Sequence, residues 1–405
     1  MAAIEAGLLN ALMRDGCNIL EAFFRKHIPD CAHKGRKGER RYRDRHIEVH
    51  SVLGKFSLWR DYFCDGGNGR APLDEQLGLK DGNTPGLQKM MSRAGAMGAS
   101  FEQAGDDLRA YAHLDVSGRS IQRMAAVIGP DVGSWMQKRA AADSNESPDV
   151  MYVSYDGTGV PTTKSETKGR KGKQPDGSST GREVKLGCVF TQLRTVAGEP
   201  PERDPDSTTY VASFEKAVDF GGLIRQEAVT RGMAKAKKVV VLGDGAVWIW
   251  NLARINFPNA TCILDMYHAF EHVNDLAKLI YPDESPGKGH AKLWRKWLKE
   301  DKVDRFIKVV TDYAHLRRGD KRKEILAAIK YFMKNRDRMM YSTFRKQGCF
   351  VGSGVVEAGC KAVVGKRTKQ SGMFWHVDGA QNVLSIRCAV LGRLFNEYWK
   401  QRDAA

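Results

Sequence analysis

Residues 239–250 read VVVLGDGAVWIW, and this stretch decides the fold that we predict. Its run of branched apolar residues favours a buried strand of a parallel or mixed sheet. The run ends at Gly243-Asp244-Gly245, and an aromatic segment with helical spacing follows. A carboxylate at the end of such a strand lies where open α/β sheets gather their ligands. Asp-Gly is also a common turn dipeptide, so Asp244 alone leaves both interpretations open.

Further strand patterns on both sides of this stretch predict a single mixed sheet. Three successive patterns lie at 150–156, 183–193 and 208–214, and a strand-helix-strand unit covers 237–265. Three antiparallel strands followed by such a unit predict the α/β class, with helices on both faces of the sheet.

Changes of composition divide the chain into four predicted parts. They are a mainly helical region at 1–147, the first part of a core at 148–275, a basic helical block at 276–347, and the last part of the core at 348–405. The small polar stretch at 140–149 is typical of a linker. We also predict a β-hairpin at 45–64 and one final helix over 377–399.

The N-terminal region contains a candidate helix-turn-helix. Ser100 can cap a first helix with Gln103 at the capping-box position, and Ser117 starts a second helix after a short break. Arg119 and Arg123 would then lie on the outer side of the second helix, where they could reach DNA. An ordinary helical pair inside a packed domain gives the same pattern.

The charge of the chain indicates its class of partner. Sixty-five Lys and Arg against 48 Asp and Glu give a net charge of +17, and so basic a surface attracts polyanions, nucleic acid above all. The block from 288 to 346 holds 19 of the cations and 7 of the acids. No apolar run is long enough to cross a membrane, and the N-terminus lacks a signal peptide. We therefore expect a soluble, cytoplasmic protein that binds nucleic acid.

Two more acids share the setting of Asp244. Asp156 ends the first strand pattern in SYDGTGVP, and Glu357 follows GSGVV at the start of a helix. A helix-capping or exposed glutamate is the plainer interpretation of Glu357, but a buried carboxylate needs a partner or a metal. Carboxylate oxygens suit Mg²⁺ or Mn²⁺, and two such ions promote phosphoryl transfer. The three acids therefore predict metal-dependent chemistry on nucleic acid.

Several motifs together resemble one family. They are YDGTGVP, GREVKLGCVFTQ, GDGAVWIWNLARINFPNA, ILDMYHAFEHV and GSGVVEAGCKAVVGKRTKQSGMFW, and the N-terminal PLDEQLGL and SFEQA also fit. The chain resembles DDE transposases with an RNase H-like core, and more closely the bacterial insertion-sequence transposases of the Kra-four group. The acids are 88 and 113 residues apart, and the second interval is long because the helical block interrupts it, as in DDE groups with an all-helical insertion.

The resemblance implies the roles of the acids. It implies that Asp156, Asp244 and Glu357 hold Mg²⁺, with Mn²⁺ as a substitute, and that they catalyse DNA cleavage and strand transfer. We interpret the glycines beside Asp244 as clearance for a metal and a phosphate. Asp265 and His268 resemble the Asp-or-Cys-x-x-His element of several DDE transposases. His268 could therefore contact the scissile phosphate or orient a catalytic acid, while a core histidine is the alternative.

Basic side chains near the acids are predicted to hold the DNA backbone. They are Lys164, Lys168, Arg170, Lys171, Lys173 and Arg182 in the loop between the first two strands, and Lys361, Lys366, Arg367 and Lys369 beside Glu357. The loop is long, polar and glycine-rich, as binding loops often are.

The eight cysteines are scattered, and none forms a CxxC pair. Reduced buried thiols are therefore the interpretation that we favour, while a zinc ribbon around Cys31 and Cys64 is the alternative. Members of the resembled family often carry paired cysteines around this hairpin, but Gly67 stands three residues after Cys64. Whether the region binds zinc stays open.

The functional prediction is a DDE transposase that acts on double-stranded DNA at the terminal inverted repeats of its own insertion sequence and at a target. Pairing two DNA ends implies a homodimer or a larger assembly. Two alternatives remain: an RNase H-fold nuclease without strand transfer, and a helix-turn-helix regulator with an inert core. The three acids distinguish the enzymes from the regulator.

Overall fold

The structure is a computed structural model, and it describes residues 1–26, 28, 30–67, 69–139, 148–172, 174–176, 178–193, 200–282 and 284–404. Most of the predicted linker, and Lys173, lie outside these residues. The chain forms two compact units, one of Met1–Val132 with Phe395–Ala405 and the other of Gly133–Leu394. The finer division into four parts stays a prediction.

The first unit combines helices with a small antiparallel sheet. Its helices are α1 (Ala2–Lys26), α2 (Pro72–Gln76), α3 (Pro85–Met97), α4 (Phe101–Ala112) and most of α5 (Gly118–Lys138), and its strands are β1 (Arg40–Ser51), β2 (Gly54–Cys64) and β3 (Gly69–Arg70). The predicted hairpin is confirmed, because β1 pairs with β2 from Ser51↔Gly54 outward.

Helices α4 and α5 occupy the segment predicted as a helix-turn-helix. Ser100 Oγ accepts a hydrogen bond of 3.0 Å from Gln103 N–H at the start of α4, and Ser117 Oγ accepts one of 3.2 Å from Ser120 N–H at the start of α5. Each hydroxyl satisfies a donor that the first turn of a helix leaves unpaired. Both predicted helix starts are confirmed, and α5 continues to Lys138.

The second unit is built on a five-stranded mixed sheet. Its strands are β4 (Val150–Pro161), β5 (Gly181–Thr191), β6 (Thr209–Ser213), β7 (Lys238–Gly243) and β8 (Thr261–Leu264). They lie in the order β6-β5-β4-β7-β8. β4, β5 and β6 are antiparallel neighbours, while β7 and β8 add to the other edge of β4 as parallel strands. The predicted α/β class, an RNase H-like mixed sheet flanked by helices, is confirmed.

Strand β7 is the buried strand from which the fold was predicted. Val240, Val241 and Leu242 have no solvent exposure, although successive side chains of a strand point to opposite faces. Both faces of β7 are therefore covered, which is why its sequence is apolar without alternation.

Helices surround this sheet. They are α6 (Lys164–Thr167), α7 (Ala217–Thr230), α8 (Val247–Asn256), α9 (Met266–Ile280), α10 (Glu284–Lys299), α11 (Val303–His315), α12 (Gly319–Lys334), α13 (Tyr341–Lys346), α14 (Gly354–Gly359), α15 (Lys366–Thr368) and α16 (Val377–Leu391). α10 to α13 fill most of the predicted helical insertion, where the described residues form no strand. No helix in the described part of the chain has the length and apolar character needed to cross a bilayer.

The single final helix predicted over 377–399 is wrong. The segment forms α16 and a separate helix, α17 (Phe395–Ala404). Arg393 adopts a left-handed conformation with φ +61°, which commonly ends a helix. A Cβ on Gly392 would lie 2.8 Å from the Cys388 carbonyl oxygen, so the chain turns there without a side chain. α17 belongs to the first unit.

The cysteines support the favoured interpretation. The seven whose side chains the structure describes are free thiols, namely Cys17, Cys64, Cys188, Cys262, Cys349, Cys360 and Cys388. The described side chains form no three-residue metal cluster that contains a cysteine. The zinc alternative around Cys31 and Cys64 stays open, because the side chain of Cys31 lies outside the described residues.

Candidate active site

The register of two parallel strands places Asp156 beside Asp244. Ser154 of β4 pairs with Leu242 of β7 at the end of their register. Asp156 stands two residues further along β4, and Asp244 directly follows Gly243, the last residue of β7. Because neighbouring strands lie about 4.8 Å apart, Asp156 lies next to the end of β7 that Asp244 follows, and the charge of Asp244 raises the pKa of Asp156. The strand prediction needs one correction, because β4 does not end at Asp156. Its pairing with β5 continues to Pro161.

The carboxylate of Asp156 is half-buried, and a neighbouring negative charge contributes to its raised pKa. Burial raises its pKa, a hydrogen bond from Gly157 opposes this shift, and the charge of Asp244 raises the pKa further. Gly157 N–H donates to Oδ1 at 2.7 Å, and the Cys360 thiol contacts Oδ2 at 3.8 Å. Two carboxylates therefore share this site under mutual repulsion, an arrangement that a bound cation relieves.

The loop after β7 holds Asp244 in one conformation. Asp244 Oδ1 accepts a hydrogen bond of 2.8 Å from Ala246 N–H, and its backbone oxygen accepts one of 2.9 Å from the Tyr331 hydroxyl of α12. The Tyr331 ring lies against His272, with centroids 3.8 Å apart. An insertion helix thus fixes the loop that carries the acid.

The glycines beside Asp244 have a different role from the one predicted. A Cβ on Gly243 would lie 2.6 Å from Ile249 Cγ2, and one on Gly245 would lie 2.7 Å from the Tyr331 hydroxyl. The side chains of Ile249 and Tyr331 therefore occupy the space that the prediction assigns to a metal and a phosphate. The glycines allow α8 and α12 to approach the loop closely.

Replacing Gly245 by alanine should destabilise the protein. Its φ of +101° is strained for any other residue, and the new Cβ would press on Tyr331. We expect the free energy of unfolding to fall by about 2 kcal/mol, measured by urea titration. Gly222→Ala is the matched control, because that glycine is helical with nothing within 4 Å of the added Cβ. It should stabilise by up to about 1 kcal/mol; equal effects would contradict the prediction.

Glu357 lies on a helix that packs against the same strands. α14 carries it and continues through a π-helical segment, Cys360–Gly365, and such segments often occur at functional sites. A Cβ on Gly359 would lie 3.1 Å from Leu186 Cδ2, and Leu186 pairs with Asp156 across β4 and β5. The contact between the Cys360 thiol and the Asp156 carboxylate also holds the end of α14 against β4. α14 therefore brings Glu357 to the side of the sheet that carries Asp156.

Asp265, His268 and Glu357 form a compact cluster. One ligand atom from each lies within 4.8 Å of the others, and no second cluster of three such residues occurs among the described side chains. Asp265 follows β8 directly and is fully buried. Its Oδ1 accepts from His268 N–H at 2.8 Å, and its Oδ2 accepts from Ser353 N–H. Ser353 Oγ in turn donates to Glu357 Oε1 at 3.1 Å.

Asp265 holds His268 in its charged form. His268 Nδ1 lies 3.5 Å from Asp265 Oδ1, and this partner raises the pKa of His268 to about 9. Burial acts to raise the pKa of Asp265, but hydrogen bonds from His268 and Ser353 outweigh it and leave the pKa below its ordinary value. The backbone donors occupy both oxygens of Asp265, so it acts as a positioning group. His268 places a positive charge beside Glu357.

The predicted triad is thus arranged as two neighbouring groups. Asp156 lies beside Asp244, and Glu357 lies with Asp265 and His268; the ligand atoms of the three acids do not converge as closely as those of the cluster. His268 connects the groups, because its charge lowers the pKa of Asp156 while the charge of Asp244 raises the pKa of His268.

The charge on His268 predicts a pH dependence of stability in the metal-free protein. The folded-state pKa of about 9 lies above the ordinary value of 6.5, so the stabilisation is complete below pH 6.5 and is lost as the pH rises through 9. We expect the urea midpoint of the wild type, measured in EDTA, to fall over this interval by more than that of His268→Gln. Parallel profiles for the two proteins would contradict the assignment.

Most of the predicted DNA-binding side chains are at the surface. The exposed ones are Arg119, Arg123, Lys164, Lys168, Arg170, Lys171, Lys361, Lys366 and Lys369. Lys369 Nζ donates to Thr158 Oγ1 at 2.5 Å, two residues from Asp156. Arg182 is half-buried, with Nη1 3.8 Å from Glu166 Oε2. Lys173 lies outside the described residues. Whether these side chains bind DNA stays a prediction.

Arg367 requires a correction. Its side chain is fully buried, with its guanidinium carbon 4.9 Å from the centre of the Trp375 ring and Nη1 3.4 Å from Met373 Sδ. The predicted phosphate contact is not available to a side chain enclosed in this way. Arg367 packs against Met373 and Trp375 in the segment that follows Glu357.

Sequence reasoning missed three residues of the site. Cys360 stands three positions after Glu357, a spacing that places both on one face of a helix, so it could have been found. Ser353 is the N-cap of the same helix. Tyr331 offered no signal, because 87 residues separate it from Asp244.

The residues present fit a divalent cation. Asp156 and Asp244 are half-buried neighbouring carboxylates, and the hydrogen bonds described for them from the backbone occupy Oδ1 of each. Burial raises the pKa of Asp156, and the negative charge of Asp244 raises it further. Hard oxygen donors of this kind bind Mg²⁺ or Mn²⁺. A soft, cysteine-binding metal fits less well, because burial and Asp156 raise the pKa of the Cys360 thiol to about 12.

Comparison with solved structures finds a distant structural resemblance. No protein-family model matches the chain, and no curated protein matches it. The Drosophila P element transposase strand transfer complex aligns with 79% of this chain and 94% of its own, at 8% identity and a TM-score of 0.38. A resemblance this distant does not indicate what the present chain does.

Proposed function

We propose that this chain is a DDE transposase that cleaves DNA at the ends of its own insertion sequence and joins those ends to a target. One observation carries the proposal. Asp156 on β4 lies beside Asp244, which follows the neighbouring parallel strand β7, and α14, which carries Glu357, packs against the side of the sheet that carries Asp156. The net charge of +17 supports a polyanionic substrate.

Each residue has a part in the proposed chemistry. Asp156, Asp244 and Glu357 hold Mg²⁺, for which Mn²⁺ substitutes. The bound ions would activate a water or 3′-hydroxyl and stabilise the leaving oxygen. His268, kept protonated by Asp265, supplies positive charge to a phosphate oxygen or to Glu357. Lys369, held beside Asp156 through Thr158, is placed to neutralise a backbone phosphate.

Several finer statements belong to the same proposal. The substrates are the terminal inverted repeats as double-stranded DNA, and pairing two ends requires a homodimer or a larger assembly. The exposed Arg119 and Arg123 on α5 are proposed to contact the repeat through the major groove.

A cleavage and joining assay tests the proposal. The purified protein is incubated with labelled duplexes that carry the two sequences flanking its gene, with a supercoiled target plasmid, and with Mg²⁺ or Mn²⁺. We expect labelled target molecules from the wild type and none from Glu357→Gln or in EDTA. Cleavage without joining would indicate the nuclease instead. Tight binding without cleavage under any metal would indicate the regulator.

A further inference from the structure

A basic groove runs along the two antiparallel helices next to the candidate site. It encloses about 900 Å³ between α9 and α10. Tyr267 and Asn274 line it from α9, and α10 contributes four cations, Lys292, Arg295, Lys296 and Lys299. Glu271 is the one acid among its lining residues.

The spacing of the cations follows from the helix. On α10, Ala291, Trp294 and Leu298 are buried, so the apolar face is directed into the core. Lys292 and Lys299 belong to the opposite face, seven residues apart, which corresponds to about 10 Å along the axis. Positive charges spaced along one side of a helix can follow the phosphates of a nucleic-acid backbone.

An exposed aromatic ring stands at the end of the groove that lies nearest the site. Tyr267 is 64% exposed and directly precedes His268. Its ring makes an edge contact with Phe270, with centroids 6.5 Å apart, and the backbone of Gly352 lies against it, since a Cβ there would be 3.3 Å from Tyr267 Cε2. An exposed ring held on two sides is suited to stack with a base.

Lys299 connects the ring to the row of cations. Its Nζ lies 5.4 Å from the centre of the Phe270 ring, the same ring that contacts Tyr267. The groove therefore offers, in order from His268, an aromatic face and then positive charges spaced along a helix. Grooves that bind single strands combine these two elements.

We propose that this groove binds one DNA strand on one side of the reacting phosphate, with its phosphates along α10 and an unpaired base on Tyr267. The inference rests on the proposed function, because it places the strand beside the same carboxylates. It adds a strand-binding path that the acids alone do not define. Charge complementarity selects the occupant, since four cations face one acid.

The first test measures the salt dependence of DNA binding. The probe is a fluorescein-labelled duplex with a six-nucleotide 3′ single-stranded extension, titrated at several NaCl concentrations. Lys292→Gln/Lys296→Gln should reduce the slope of log K against log salt by about 1.4 to 1.8, because each of the two phosphate contacts contributes roughly 0.7 to 0.9. The control, Lys308→Gln/Lys330→Gln, removes two exposed cations from α11 and α12 outside the groove. Its slope should not change, and an equal loss in both variants would overturn the proposal.

The second test concerns the aromatic ring. Tyr267→Ala should weaken binding of the extended probe about fivefold or more, in line with the contribution of one stacked base. Tyr267→Phe should bind like the wild type, and a blunt duplex should bind both variants equally. Loss of affinity in Tyr267→Phe, or unchanged affinity in Tyr267→Ala, would overturn the stacking role. Circular dichroism verifies that each variant is folded.

The outcomes separate this inference from the proposed function. If the wild type cleaves DNA but the groove variants bind normally, the groove assignment fails alone. If the groove variants show the expected reduction in the slope of log K against log salt while the wild type never cleaves DNA, the groove assignment is supported and the proposed function fails. If the groove variants reduce the slope of log K against log salt only when the single-stranded extension is RNA, the assignment to DNA is overturned.

Discussion

Asp244→Asn should lose DNA cleavage and joining almost completely while remaining folded. The asparagine side chain keeps an oxygen that can accept the hydrogen bond from Ala246 N–H, which the aspartate accepts at 2.8 Å. The substitution removes the negative charge that raises the pKa of Asp156 and that would hold a cation. We expect the cleavage rate to fall by about 1,000-fold, on the order of the loss when a group that stabilises transition-state charge is removed. This corresponds to roughly 4 kcal/mol.

Asp275→Asn is the control for this experiment. Asp275 lies on α9 and is 74% exposed, with its carboxylate 3.7 Å from Lys278 Nζ. Because surface ion pairs contribute little, its rate should match that of the wild type. The two variants should also have the same urea midpoint. A cleavage rate for Asp244→Asn within tenfold of the wild type would remove Asp244 from the metal site.

The sheet could be predicted because its signals are local. The apolar run at Val239–Leu242 and the alternating strand patterns before it report burial directly. The proximity of Asp156 and Asp244 was less accessible, since it depends on β4 and β7 being neighbours and on the register between them. The break between α16 and α17 was missed because a left-handed Arg393 has no distinctive sequence signal.

The surroundings of the acids could be predicted only in part. Asp265 and His268 are three residues apart, so their contact follows from helical spacing. The hydrogen bond from Tyr331 to the Asp244 loop spans 87 residues and depends on how the insertion helices fold back. The burial of Arg367 could not be predicted from the sequence either, because a basic residue beside other basic residues indicates a surface position. Long-range packing decides both positions.

Asp265→Ala should impair both stability and activity. Its carboxylate is fully buried and accepts hydrogen bonds from the backbone N–H groups of His268 and Ser353. Alanine would leave both donors without this acceptor and would remove the cap of α9. We expect the free energy of unfolding to fall by about 3 kcal/mol, measured by urea titration with tryptophan fluorescence. The cleavage rate should fall by roughly 10- to 100-fold, as when an outer residue that orients a metal site is lost.

Asp219→Ala is the matched control, because Asp219 is an exposed acid in the first turn of α7. Its removal should change stability by about 0.5 kcal/mol, the contribution of a charge at a helix N-terminus, and should not change the rate. The two readouts also distinguish two roles of Asp265. A positioning group predicts that stability and activity fall together, because the same hydrogen bonds fix Ser353, His268 and Glu357. If activity were lost while the urea midpoint stayed at the wild-type value, Asp265 would act as a metal ligand and the assignment to positioning would be wrong.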